Sequence, residues 1–153
     1  MHRFLTLIVA LVALLISLQA AFAAGLFPGY AGNPWGTSSH KIIKDYQKGQ
    51  MGQVGELVTY QQKNPNKEIR QRTFAFKDNK LNAVTVSFNA DYIKKEGIEK
   101  LLAKHKKAYG EGTMDRSKAP HLITYLWEDA KTRITFAYAP KRPDLTILMF
   151  QQK

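Results

Sequence analysis

Three segments near the middle of the chain, at residues 57–62, 69–76 and 81–88, combine apolar and polar positions and are rich in residues that favour β-structure. Each segment is therefore predicted to be a β-strand, in which every second side chain lies on the same face. Val84, Val86 and Phe88 share one face of the third strand and form its predicted core side. The polar turn at 77–80 has the length of a hairpin connection, which predicts antiparallel pairing of the second and third strands.

The spacing changes to a helical period between residues 91 and 109. Ile98, Leu101 and Leu102 recur on one face, together with His105 and Tyr109, which predicts an amphipathic helix ending at Gly110. The lysines at 100, 104, 106 and 107 lie largely off that face. Gly97 predicts a separate short first turn, because glycine inside a helix costs about 1 kcal/mol relative to alanine. A shorter helix is predicted at 39–48, where serine hydroxyls are available for capping.

Three further strand segments follow at 121–127, 132–138 and 145–150, and polar turns separate them. The resulting order, αβββαβββ, suggests one unit used twice. Strands joined by hairpin-length links predict an antiparallel sheet of about six strands with two helices packed on one face, which is an α+β fold. No linker or low-complexity tract divides the two halves, so residues 38–153 are predicted to form a single domain.

The first 37 residues contain two segments of different character. A short basic head that includes Arg3 precedes a Leu-rich apolar run at 4–18, and Ala21 and Ala23 match the A-x-A cleavage pattern of a secretory signal. Residues 1–23 are therefore predicted to be a signal peptide, which implies a periplasmic or secreted mature protein that does not span a membrane. An uncleaved anchor is the alternative, because the segment at 4–24 is about long enough to cross a bilayer. Residues 24–37, rich in glycine, proline and aromatic side chains, are predicted to be an irregular loop.

A short motif gives this chain a resemblance to known proteins. Trp35, Gly36, Thr37 and Ser38 open a predicted helix, and a hairpin of the form Phe-x-Phe to Asp-x-Lys-Leu follows at 74–81. This arrangement resembles the duplicated helix-plus-sheet modules of exported bacterial proteins, as in the β-lactamase inhibitor protein-like fold. The resemblance implies a helix packed on an antiparallel sheet, and a role in protein binding or envelope assembly. The chain lacks the cysteine of lipid-anchored members and the disulfides of the inhibitors.

The composition excludes several classes of chemistry. None of the 153 residues is a cysteine, so the sequence has no disulfide, no thiol nucleophile and no Cys-ligated zinc site. His40, His105 and His121 lie on separate predicted elements, and no serine stands in a nucleophile-elbow motif. The sequence also lacks metal-ligand spacing and phosphate-binding glycine loops. We therefore predict no catalytic residue, no metal, no cofactor and no enzymatic activity. A small hydrolase or transferase with an unrecognised site is the alternative.

Positive charge is the remaining signal. The chain has 23 Lys and Arg against 12 Asp and Glu, a formal net charge of +11, and only Arg3 belongs to the predicted signal peptide. Such an excess attracts polyanions, although exposed lysines also serve solubility. The candidate residues for an anionic partner are Lys100, Lys104, Lys107, Arg70, Arg72 and Arg133.

The predicted function is therefore that of an exported, non-enzymatic binding or envelope-accessory domain. Its predicted partner is an acidic protein, an anionic lipid or an envelope polymer. Sequence-specific binding of nucleic acid is not predicted, because the chain has no nucleic-acid-binding motif. A protein inhibitor of an enzyme is a further alternative, and it depends on the resemblance alone.

Overall fold

The computed structural model describes residues 25–153, and the predicted signal peptide at 1–23 lies outside the described residues. About half of the structure is β-strand. The helices are α1 (Ser39–Asp45), α2 (Ala90–Glu96) and α3 (Ile98–Tyr109). The strands are β1 (Gly29–Tyr30), β2 (Asn33–Pro34), β3 (Gly49–Val54), β4 (Leu57–Lys63), β5 (Ile69–Lys77), β6 (Lys80–Phe88), β7 (Thr113–Asp115), β8 (Ile123–Glu128), β9 (Thr132–Ala139) and β10 (Arg142–Gln152).

Eight of the strands form one antiparallel sheet in the order β3-β4-β5-β6-β10-β9-β8-β7. Each half of the sheet is a four-stranded meander preceded by helix, and the strands follow chain order from each edge toward the centre. The halves meet where β6 pairs with β10, with Val84 opposite Phe150 and Val86 opposite Leu148. The remaining strands, β1 and β2, form a small separate hairpin.

The predicted fold class is wrong. The sheet has eight strands rather than six, the described residues form three helices rather than two, and the protein is mostly β rather than α+β in the order αβββαβββ. The break expected at Gly97 divides the segment at 91–109 between two complete helices. The loop predicted at 24–37 contains the β1–β2 hairpin. The missed strands, β3 and β7, lie at the two edges of the sheet. Their side chains are mostly exposed, so their sequences lack the apolar pattern of β4 and β8, the strands with which they pair.

Gly97 accounts for the division between α2 and α3. Its φ of +84° lies in the left-handed region, which is accessible to glycine without steric cost and unfavourable for other residues. Its N–H donates to the carbonyl oxygen of Ile93 at 2.9 Å and closes the last turn of α2. The start of α2 is capped by the Asn89 side chain, which accepts a hydrogen bond from the N–H of Asp91.

A single hydrophobic core lies between the helices and one face of the sheet. Ile42, Ile93 and Leu101, the buried apolar residues of α1, α2 and α3, belong to the same cluster as the buried residues of the strands. All three helices therefore cover one face. Burial of each large apolar side chain there contributes about 1.5–3 kcal/mol. The sheet residues of this core are Tyr60, Ile69, Phe74, Phe76, Leu81, Val84, Val86, Phe88, Ile123, Tyr125, Trp127, Ile134, Phe136, Leu148 and Phe150.

Residues 25–36, which we call the strap, connect the two halves of the sheet. Trp35 donates from Nε1 to the Thr132 hydroxyl at 2.9 Å, and that hydroxyl in turn donates to the carbonyl oxygen of Phe27 at 3.3 Å. At its other end, the N–H of Gly36 donates to the carbonyl oxygen of Leu81 at 2.9 Å. The strap is thus attached to β9 in one half and to β6 in the other, and its Tyr30 ring packs on the core.

A substitution at Gly49 tests whether packing against β4 stabilises the edge strand β3. A Cβ at this position would lie 2.4 Å from the ring of Tyr60, a buried side chain whose hydroxyl accepts a hydrogen bond from the Gly49 N–H at 2.8 Å. We expect Gly49→Ala to lower the free energy of unfolding by about 1–3 kcal/mol, because the ring has no space to move. Urea denaturation measures this change.

The control is Gly52→Ala in the same strand. The Cβ there would meet only the Thr59 hydroxyl, at 3.1 Å, and a hydroxyl can rotate away. We expect a clearly smaller loss of stability. Equal losses for the two variants would show that the Gly49–Tyr60 contact does not constrain the strand.

Candidate binding site

A cavity of about 390 Å³ lies between the strap, α3 and the centre of the sheet. Its floor is apolar and belongs to the core, with side chains at most 5% exposed. Tyr30 of the strap and Tyr109 of α3 also line it. Small-molecule sites in proteins have volumes of about 300–1,000 Å³ and mostly apolar walls, so this cavity is a candidate for a small ligand. The floor residues are Val86, Phe88, Ile134, Leu148 and Phe150.

The exposed lining residues mark the mouth of the cavity. Phe27, which is 47% exposed, lies on the strap side, and Lys104 lies on the helix side. The Lys104 ammonium is 2.8 and 3.0 Å from the two carboxylate oxygens of Glu68, which also lines the cavity. An exposed ion pair contributes only about 0–1 kcal/mol, so these two charges separate at little cost.

His105 places a neutral polar group in the wall of the cavity. It is 6% exposed, and its ring lies 5.1 Å from the ring of Phe136 and 6.1 Å from that of Tyr109. Burial, together with the nearby Lys104 ammonium, lowers the pKa of His105 to about 4, so the imidazole is uncharged at neutral pH. Its Nε2 has no hydrogen-bond partner among the described residues.

Arg72 lies under the strap and not on an open basic surface. Its guanidinium carbon is 5.1 Å from the centre of the Tyr46 ring and 5.6 Å from that of Tyr30. Nη1 donates to the Gln62 side chain at 3.2 Å. Burial raises the pKa of the Tyr30 phenol, and the Arg72 charge partly opposes that change. Arg72 therefore takes part in cation–π packing of the strap, and its role in holding an anionic partner stays a prediction.

The three predicted helix lysines follow one another along α3, but two of them have acidic partners. Lys100 pairs with Glu96, the last residue of α2, and Lys104 pairs with Glu68, which precedes β5. Lys107 is exposed and has no such partner within residues 25–153. The net positive charge that α3 presents is therefore smaller than the lysine spacing indicates.

The other two predicted residues lie apart from α3. Arg70 is exposed at the irregularity in β5 between Ile69 and Gln71. Arg133 alternates along β9 with buried Thr132 and Ile134, so it lies on the opposite face of the sheet, where it pairs with Glu128. The six predicted residues thus do not form one patch.

The sequence did not reveal the cavity, because its lining comes from six separated stretches of the chain. Within 25–153, no group of three or more His, Asp or Glu side chains is placed to hold a metal ion. Within the same residues, no helix combines the length and the apolar character that crossing a membrane requires.

No protein-family model matches the chain, and no curated protein matches it either. Among solved structures, the chain is similar to the crystal structure of a DUF4309 family protein (YjgB) from Bacillus subtilis. The two share 12% sequence identity over 80% of this chain and 84% of that chain, with a TM-score of 0.48. A likeness of this degree carries no argument about the role of either protein.

The buried, neutral His105 makes stability depend on pH. The imidazole pKa is 6.5 in the unfolded chain and about 4 in the folded protein, so between these values the unfolded chain binds more protons. The free energy of unfolding is therefore expected to fall by about 2–3 kcal/mol as pH decreases from about 6.5 to about 4.5. Urea denaturation across this range measures the loss.

Substitution of single histidines identifies the group that makes stability depend on pH. We expect His105→Phe to flatten this dependence, and His40→Phe, at an exposed histidine, to leave it in place. Carboxyl groups with lowered pKa, such as that of Glu128, begin to lose their contribution only near their ordinary pKa of 4.5. A slope that persists in His105→Phe would assign the acid sensitivity to another group.

Proposed function

We propose that the protein is an exported, non-enzymatic binding domain that holds an anionic partner against a basic face built by α2, α3 and the segment before β5. The basic face consists of Lys67, Lys95, Lys100, Lys104 and Lys107. The observation that carries the proposal is the surplus of cations without an acidic partner. Of the 22 Lys and Arg within residues 25–153, eight contact a carboxylate.

The surroundings of Glu96 show how charge is distributed on this face. The Lys100 side chain, followed by Lys95 and Lys67, lowers the pKa of the Glu96 carboxyl. One carboxylate therefore lies among three ammonium groups that come from the loop before β5, from α2 and from α3. Three ammonium groups close enough to act on one carboxylate support a positive potential in this region, which would attract a polyanion.

Lys100 and Lys104 each form an ion pair with a glutamate, so they are not the lysines to replace in a test. Lys67, Lys95 and Lys107 have no carboxylate within ion-pair distance among the described residues, so changing them removes charge without releasing an acidic partner. We expect the triple variant with glutamine at these positions to bind vesicles of phosphatidylglycerol and phosphatidylcholine more weakly. We also expect its affinity to depend less steeply on salt, because fewer counterions are released on binding.

The matched control replaces Lys77, Lys80 and Lys141 with glutamine, which removes the same charge from exposed turns of other hairpins. Co-sedimentation with vesicles over a salt series compares both variants with the original protein, and vesicles of phosphatidylcholine alone serve as the neutral reference. Affinities and salt slopes reduced equally by the two triple variants would mean that total charge, and not the basic face, attracts the partner.

Export is a separate part of the proposal and is supported by the apolar run and by Ala21 and Ala23. Intact-mass measurement of protein recovered from the periplasm or the medium is expected to give a chain that begins at Ala24. A mass that retains Met1 would instead indicate an anchored protein.

Two other functions stay predictions. An unrecognised hydrolase or transferase would act chemically on a partner and not only bind it. An inhibitor of an enzyme, the role implied by the resemblance, would bind an acidic protein in preference to vesicles. A lack of binding by the original protein to vesicles that contain phosphatidylglycerol would favour these alternatives over the basic face.

A further inference from the structure

We propose that the cavity beneath the strap binds a small anionic amphiphile, a monocarboxylate whose apolar chain enters the cavity and whose carboxylate contacts Lys104 at the mouth. The proposal rests on the proposed function only in the choice of an anion as the ligand. The cavity, its walls and the charges at its mouth are independent observations.

The floor determines the apolar part of the ligand. Its five core side chains come from the three central strands and offer no charged group. A volume of about 390 Å³ is near the lower end of the range for small-molecule sites. It therefore fits one short hydrocarbon chain and not the paired chains of a membrane lipid. The Phe27 side chain is partly exposed at the rim of the cavity, and the hydrocarbon chain of a bound ligand would cover it.

The mouth determines the charge of the ligand. Lys104 and Glu68 form an exposed pair that a ligand carboxylate can open by taking the place of Glu68. A cationic ligand would have to approach Glu68 through the positive field of the basic face, and an anion is attracted by the same field. The charge surplus of the protein therefore selects the anion.

His105 lines the wall of the cavity without adding a charge to it, because burial lowers the pKa of its imidazole to about 4. Its Nε2 is buried and has no partner among the described residues. Lys104 and Glu68 at the mouth are therefore the groups that determine the charge of the ligand.

The first test is calorimetric titration of the purified protein with decanoate below its micellar concentration. We expect Lys104→Gln to weaken decanoate binding about tenfold, the effect of losing one charge-assisted hydrogen bond. Glu68→Gln removes the carboxylate that pairs with Lys104, and it is expected to strengthen decanoate binding several-fold. Lys118→Gln removes an exposed lysine outside the cavity and the basic face, and serves as the charge control. A loss as large with Lys118→Gln as with Lys104→Gln would overturn the assignment of Lys104.

Ligands of different charge test the choice of anion. Decanol is expected to bind more weakly than decanoate and to be insensitive to Lys104→Gln, because it carries no charge. Decyltrimethylammonium is expected to bind least. Equal or tighter binding of the cation would overturn the proposal.

The second test fills the cavity. Leu148→Phe adds volume to the floor and is expected to abolish decanoate binding while vesicle binding by the basic face continues. If Leu148→Phe does not fold, chemical-shift changes in the methyl groups of Val86, Ile134 and Leu148 on addition of decanoate to the original protein answer the same question. Shifts confined to surface methyl groups would overturn the proposal.

The two proposals fail in different ways. Vesicle binding that depends on the basic face, together with no decanoate binding, removes the cavity ligand alone. Decanoate binding that depends on Lys104, without any vesicle binding, removes the macromolecular partner alone.

Discussion

The pairing of β6 with β10 is the constraint on which the rest of the structure depends. These two strands join the meanders, and every other contact in the sheet lies within one half. Their register sets Val86 beside Leu148 and Val84 beside Phe150 on the covered face. Because side chains alternate with a period of two, a slip of β10 by one residue would move Leu148 and Phe150 to the opposite face. The floor of the cavity would lose two of its five apolar side chains.

The cavity lies above the β6–β10 pairing at the centre of the sheet, which is covered by different elements on its two sides. α3 brings His105 and Tyr109 to one side of it, and the strap rather than a helix brings Tyr30 to the other. The space between α3 and the short hairpin of the strap is the cavity above the central strands. Arg72 helps to hold the strap, because its guanidinium stacks on the rings of Tyr30 and Tyr46.

How far the sequence predicts the structure depends on where the apolar side chains lie. Alternation along 81–88 and 132–138 located β6 and β9, because those strands bury one face. β3 was missed because its glycine and glutamine side chains bury almost nothing, and only pairing with β4 makes it a strand. The lysines of α3 were recognised from composition. Their partners were not, since Glu68 is 36 residues from Lys104 along the chain.

The attachment of the strap to Thr132 has a consequence for how a newly made chain folds. Trp35 is separated from that hydroxyl by 97 residues and Phe27 by 105. At a synthesis rate of about 5–20 residues per second, the strap is made roughly 5–20 seconds before its partner. The hairpins of the first meander involve short loops, which close at lower entropic cost. The strap is therefore made before the strand that holds it, and the apolar floor stays uncovered until β9 has been synthesised and the strap attaches to it.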